Sequence, residues 1–192
     1  CSEIQSVQII NAAADRGINF IDTAPMYGQG VSEEIVGKAL LGRRDNFIIG
    51  TKVGLKPIVN SQGNFGVETV KLNKENIISS VDNSLRKLKT DYIDLLQLHA
   101  FDASISPHET FGVLAELIKS GKVRHVGVSN YDANQLKTMV NASGMNGCPK
   151  IVSMQSHYNV MERRLEEDVI PECVRSEIST VCYRALGRGI IT

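Results

Sequence analysis

The chain has 192 residues, with 21 lysines plus arginines set against 21 aspartates plus glutamates. A balanced charge removes the electrostatic drive for broad capture of nucleic acid or an anionic membrane, and no run of roughly eighteen apolar residues exists to cross a bilayer. The length suits one substantial core, and a single domain over residues 1–192 is expected.

The elements follow one another in a regular alternation. A helix begins near Ser2. A strand is predicted over Ile18 to Thr23, then a helix capped by Ser32 and running through Ile35, Val36, Ala39 and Leu40. The second strand is Phe47 to Lys52. The stretch from Val53 to Asn73 is too long for a simple connection, and a lid, a wall over a site or plain disorder are all open for it. A helix follows, with Ile78, Val81, Leu85 and Leu88 along one stripe. The third strand is Tyr92 to His99. Ser106-Pro107-His108-Glu109 starts the next helix with a capping serine, a proline at the first position and a glutamate three residues on. Val123 to Ser129 is the fourth strand, and Asp132-Ala133-Asn134-Gln135 caps the helix after it. Ile151 to Gln155 and Thr180 to Tyr183 complete the set.

Most of these strands are apolar nearly throughout, as parallel strands covered by helices are. Strands alternating with helices imply right-handed crossovers in a parallel sheet. An open doubly wound sheet would announce a nucleotide through a GxGxxG turn after its first strand. Ala24-Pro25-Met26-Tyr27-Gly28-Gln29-Gly30 lacks that spacing. Polar residues instead cluster at successive strand ends, so the expected fold is α/β, a (β/α)8 barrel with about six of its eight strands present.

The first residues, Cys1-Ser2-Glu3-Ile4-Gln5, resemble no secretory signal. Cys1, Cys148, Cys173 and Cys182 have neither metal-ligand nor disulfide-framework spacing. Reduced thiols in a cytoplasmic protein are expected. The chain opens on Cys1 rather than methionine, so a segment of a longer product, or a processed one, is expected.

The strand ends carry Asp22, Lys52, His99, Ser129-Asn130 and Gln155, with Tyr27 just past the first. Alternation puts Phe20 and Asp22 on one face, as it does Ile48, Gly50 and Lys52, and Leu95, Gln97 and His99. The last polar member of each set should meet the others at the barrel mouth. A nearby ammonium would pull the Tyr27 phenol toward neutrality and make it a better acid, while Asp22 balances Lys52. His99 could hydrogen-bond the oxygen that Tyr27 protonates. With no nucleophile and no metal cluster in view, this is half of a carbonyl reduction; the hydride must come from a cofactor.

These residues carry a resemblance. Gly17 through Gly28, with Asp22 and Tyr27 inside it, resembles the signature around the catalytic aspartate and tyrosine of the aldo-keto reductases. Ile49-Gly50-Thr51-Lys52 is similar to their lysine segment, and Asp91 through His99 to their histidine segment. The resemblance implies that Tyr27 is the general acid, supported by Asp22, Lys52 and His99. It implies that Ser129, Asn130 and Gln155 hold the nicotinamide carboxamide of NADPH, less often NADH. Tyr183 would stack on the ring, and Leu186, Gly187 and Gly189, around Arg188, would reach the pyrophosphate. Asp22 would also belong to the cofactor pocket. The implied partner is a small carbonyl substrate, reduced to the alcohol or re-formed from it.

The sequence departs from the family in two places. Arg184-Ala185 follows Tyr183 where the family has a serine and often a proline, and Arg184 is a candidate phosphate ligand. The first and eighth strands of a full barrel are expected outside residues 1–192, so the isolated segment is expected to be inactive and the intact product active. His108, His125 and His157 are read as structural or surface residues. A non-catalytic nicotinamide-binding module, like the channel β-subunits that resemble this family, is one rival. A lysine-dependent barrel aldolase acting through Lys52 is the other.

Overall fold

The computed structural model describes residues 2–145 and 147–191, so the expected Cys1 thiol lies outside it, as does Thr192. Helix α1 (Glu3–Ala14) is closed at its start by a reciprocal pair: the Ser2 hydroxyl accepts from the Gln5 amide, and the Gln5 side chain accepts from the Ser2 amide. Strand β1 (Phe20–Asp22) leads into the tight turn Tyr27–Gly30 and then α2 (Val31–Ala39). Gly30, at φ 90°, occupies the cap position expected of Ser32. The Ser32 hydroxyl instead pairs with that of Thr23 at 2.9 Å, tying the helix to the end of β1.

Strand β2 (Ile48–Val53) is followed by β3 (Leu55–Val59) and β4 (Phe65–Thr69), an antiparallel hairpin. The long segment therefore has a regular structure of its own. Its turn is built by Asn60, whose side-chain oxygen accepts from the amides of Gln62 and Asn64. A cleft of about 670 Å³ lies between this hairpin and helix α3 (Lys74–Leu88). Ile77 joins Val81, Leu85 and Leu88 on the buried stripe of α3, while Ile78 is only half-buried. The remaining order is β5 (Ile93–Leu98), α4 (Pro107–Lys119), β6 (Val123–Ser129), α5 (Ala133–Ala142), β7 (Ile151–His157), α6 (Val169–Arg175) and β8 (Ser179–Tyr183). Ser106 and Asp132 cap α4 and α5 as their sequences require. Among the described residues no helix is long and apolar enough to cross a membrane.

Six strands pair in parallel in the order β1-β2-β5-β6-β7-β8, with helices between them. The sheet curls strongly. Asp22 on β1 and Gln155 on β7 are four strand spacings apart, roughly 19 Å if the sheet were flat. Yet the Gln155 side chain donates to Asp22 Oδ1 at 3.0 Å. Only a sheet rolled toward closure brings them together, so this is a partial (β/α)8 barrel. At its N-terminal end the Asp94 carboxylate gathers Arg44, Arg124 and the Ile49 amide, and both guanidiniums stack on the Tyr92 ring.

Close packing of α2 on α3 sets where the turn after β1 can lie. An added Cβ at Gly37 would stand 2.3 Å from the Lys87 carbonyl oxygen and 2.8 Å from the Leu88 carbonyl carbon. Backbone atoms cannot yield as a flexible side chain can. Gly37→Ala is expected to force the helices apart and cost about 1–3 kcal/mol in denaturant unfolding. An unchanged midpoint would contradict this account of the contact.

Candidate active site

At the C-terminal ends of the strands the polar side chains converge on Asp22. Its Oδ2 accepts from Lys52 Nζ at 2.7 Å, and its Oδ1 accepts from both Gln97 and Gln155 at 3.0 Å. Lys52 also donates to the Thr23 carbonyl at 2.9 Å, and its side chain is wholly buried. An ammonium stripped of water is tolerable only with such partners. Burial pulls the Lys52 pKa down, while Asp22 and, more weakly, Glu33 push it back up.

Tyr27, half-buried in the turn after β1, lays its ring 4.8 Å from the Lys52 ammonium. His99 meets the same ring edge-on, with centroids 6.2 Å apart. The three expected partners of one reactive oxygen are thus brought together with Asp22. The expected acidification of Tyr27 is not what the geometry produces. Burial first, and then the charge of Asp22, push its phenol above the ordinary value. The reason is that the lysine charge is already engaged by Asp22 and Thr23, leaving the carboxylate field and desolvation in control. Tyr27 therefore holds its proton at neutral pH.

His99 behaves in the opposite sense. Burial, then the Lys52 charge, pull its pKa from 6.5 down to about 4, with Asp22 opposing. It is a neutral imidazole at pH 7, and its Nδ1 has no hydrogen-bond partner among the described residues. A folded pKa below the unfolded one means that protonation is resisted. Stability from this group is present above pH 6.5 and lost as pH falls toward 4. NMR titration should show His99 charging at about 4; an ordinary midpoint would contradict this burial.

The groups expected to hold a cofactor form a second cluster beside the first. Asn130, in the left-handed region at φ 63°, donates to the Ser129 hydroxyl and the His99 carbonyl, and accepts from the Tyr183 hydroxyl at 2.8 Å. Its own amide donates to the Gln155 carbonyl. Ser129 and Gln155 are buried, and Gln155 has its side-chain amide on Asp22. Leu186 is exposed, Gly187 is buried, and Gly187–Gly189 forms a short turn. Arg184 and Arg188 line a cleft of about 300 Å³ together with Asn159 and Gly187. A larger cleft of about 630 Å³ opens beside Asn130 and Tyr183.

His157, read from sequence as structural or surface, belongs to this cluster. Its ring stacks on Tyr183 at 5.4 Å and 14°, and its Nε2 meets the Asn159 side chain. Gln97, on the inward face of β5, is one of the two amides on Asp22. Period-two alternation was the available signal for both, since Gln97 precedes His99 by two and His157 follows Gln155 by two. His108 and His125 appear in neither cluster.

A partial α/β barrel with a tyrosine, a buried lysine, a neutral histidine and a shared aspartate at its strand ends defines a barrel protein with a proton-handling mouth. The comparisons give it a family. The model of the Aldo/keto reductase family matches residues 1–192, and the chain belongs to that family. It is similar to the aldo-keto reductase YhdN of Bacillus subtilis, at 41% identity over 99% of this chain and 54% of that protein. The versiconal hemiacetal acetate reductase of Aspergillus parasiticus is 35% identical over 99% of this chain and 59% of its own length. Among solved structures, the glycerol dehydrogenase of Gluconobacter oxydans aligns with a TM-score of 0.86 at 34% identity, covering 98% of this chain and 56% of that one. An aldo/keto reductase of Klebsiella pneumoniae, crystallised with NADP and acetate, aligns at 0.82 and 30% identity, covering 98% and 61%. The chain spans somewhat over half the length of these relatives.

Proposed function

We propose that a full-length protein carrying this chain reduces an aldehyde or ketone to the alcohol with NADPH, and catalyses the reverse. The observation that carries the reading is the meeting of Tyr27, Lys52 and His99 around Asp22 at one rim. Membership of the family and the NADP in the Klebsiella structure support it. The single barrel domain and the cytoplasmic setting expected from the sequence belong to the same reading.

The residues present suit a nicotinamide dinucleotide in their chemistry. Asn130 and Ser129 offer amide and hydroxyl groups, Tyr183 a half-buried aromatic ring, and Arg184 and Arg188 two guanidiniums along one cleft. Reduced nicotinamide, when bound, supplies the hydride to the carbonyl carbon. The protein's own groups do the rest. Tyr27 delivers the proton from its hydroxyl to the carbonyl oxygen, and neutral His99 donates a hydrogen bond to that same oxygen. Asp22, steadied by two amides, holds the Lys52 ammonium against the Tyr27 ring and so fixes where the phenol stands at the rim.

Turnover of NADPH by the full-length protein with a panel of aldehydes and ketones tests the reading directly. Consumption of cofactor that depends on the carbonyl compound is expected; binding without turnover would leave the non-catalytic module instead. Borohydride trapping of a carbonyl substrate on Lys52 would point to the aldolase chemistry. No trapping is expected, because the lysine nitrogen is committed to Asp22 and the Thr23 carbonyl.

A further inference from the structure

Glu33 is a buried acid with no part in the mechanism above. Glu33 lies in the first turn of α2 with none of its surface exposed. Its Oε1 accepts from the Thr51 hydroxyl at 2.7 Å, and Thr51 is buried as well. Its Oε2 has no hydrogen-bond partner among the described residues. A carboxylate removed from water and only half satisfied is expensive for a fold, so a cationic counterweight is called for.

A buried cation stands one residue beyond Thr51. Thr51 directly precedes Lys52 on β2, so the two side chains leave opposite faces of the strand. Thr51 turns to Glu33 in the helix layer; Lys52 turns to Asp22 in the barrel interior. The field of Glu33 reaches the Lys52 ammonium through the strand and opposes the effect of its burial. The same helix turn also governs Tyr27. Tyr27–Gly30 runs straight into α2, and the Thr23–Ser32 hydroxyl pair fixes the neighbouring residue of that helix to the end of β1.

We propose that Glu33 is a positioning residue of the reductase site: a second buried carboxylate, across β2 from Asp22, that balances Lys52 and, through Thr51, ties the turn carrying Tyr27 to the lysine's strand. The inference rests on the reductase reading. The charged and titratable groups facing Lys52 are Asp22 from β1, Tyr27 from the turn after it, Glu33 from α2 and His99 at the end of β5.

The test compares two variants of the full-length protein. Glu33→Gln keeps an acceptor for Thr51 and removes the charge. Turnover is expected to fall about tenfold, with KM for the carbonyl compound and Kd for NADPH within about twofold. Removing a negative charge lowers the pKa of a nearby ammonium, so the alkaline limb of the kcat profile should move to lower pH. Thr51→Val keeps the charge and removes the tie; kcat should fall with the limb unmoved. Wild-type kcat in Glu33→Gln, or a fall with no displacement of the limb, would overturn the proposal. Should Glu33→Gln not fold, unchanged kcat in Thr51→Val would overturn it. Tyr27→Phe measured alongside separates the two levels: full turnover there sinks the reductase reading itself, whatever Glu33 does.

Discussion

Lys52→Met is expected to abolish most of the activity of the full-length protein, by about 10³-fold in kcat, and to destabilise the fold as well. Both effects have one origin. The wild-type ammonium sits in a fully buried position because Asp22 and the Thr23 carbonyl accept hydrogen bonds from it. Methionine fills much the same space and leaves Asp22 without its cation. Breaking such a pair from one side costs about 3–5 kcal/mol. The lower end is expected here, since the Asp22 side chain is 25% exposed and keeps the amides of Gln97 and Gln155. Adding Asp22→Asn to Lys52→Met removes the stranded charge and should restore most of the stability but none of the turnover. Denaturant unfolding and steady-state kinetics on the two variants separate the roles. A single variant of wild-type stability would show that the pair does not hold the barrel mouth.

Tyr27→Phe is expected to lower turnover by at least ~10²-fold while leaving NADPH affinity nearly unchanged. The ring, its edge contact with His99 and its place over the ammonium all survive; only the proton donor is lost. The raised phenol pKa adds a directional signature. Carbonyl reduction needs the protonated phenol and should be flat through neutral pH. Alcohol oxidation needs the phenolate and should climb as pH rises toward the raised pKa. Equal activity in the variant would remove Tyr27 from the role of acid.

Much of this arrangement could be read from the residues because it follows from periodicity. Val123–Ser129 appears as a strand with the bounds its apolar run suggests, and α4 and α5 begin where Ser106 and Asp132 place them. Asp22, Lys52 and His99 meet because each ends an inward-facing set. Other features turn on three-dimensional facts that spacing does not contain. Ser32 has the chemistry of a helix cap, but the preceding turn already delivers Gly30 to the cap position, and the hydroxyl finds Thr23 instead. The Val53–Asn73 stretch alternates too weakly to announce a hairpin, and β4 is exposed along its whole length. The Tyr27 pKa depends on which way the lysine ammonium turns, and it turns to Asp22. His157 was hidden by its ordinary frequency as a core or surface residue, and its place on Tyr183 emerges only once β7 and β8 are paired in register.

The measurement that bears most directly on the central claim is the fate of the hydride. The full-length protein would be incubated with an aldehyde and NADPH deuterated at both positions of the nicotinamide C4, and the alcohol analysed for isotope. Deuterium on the former carbonyl carbon, one atom per NADPH consumed and nearly absent with Tyr27→Phe, is the expected result. Alcohol formed without deuterium, or no alcohol from a folded protein that binds NADPH, would contradict the account.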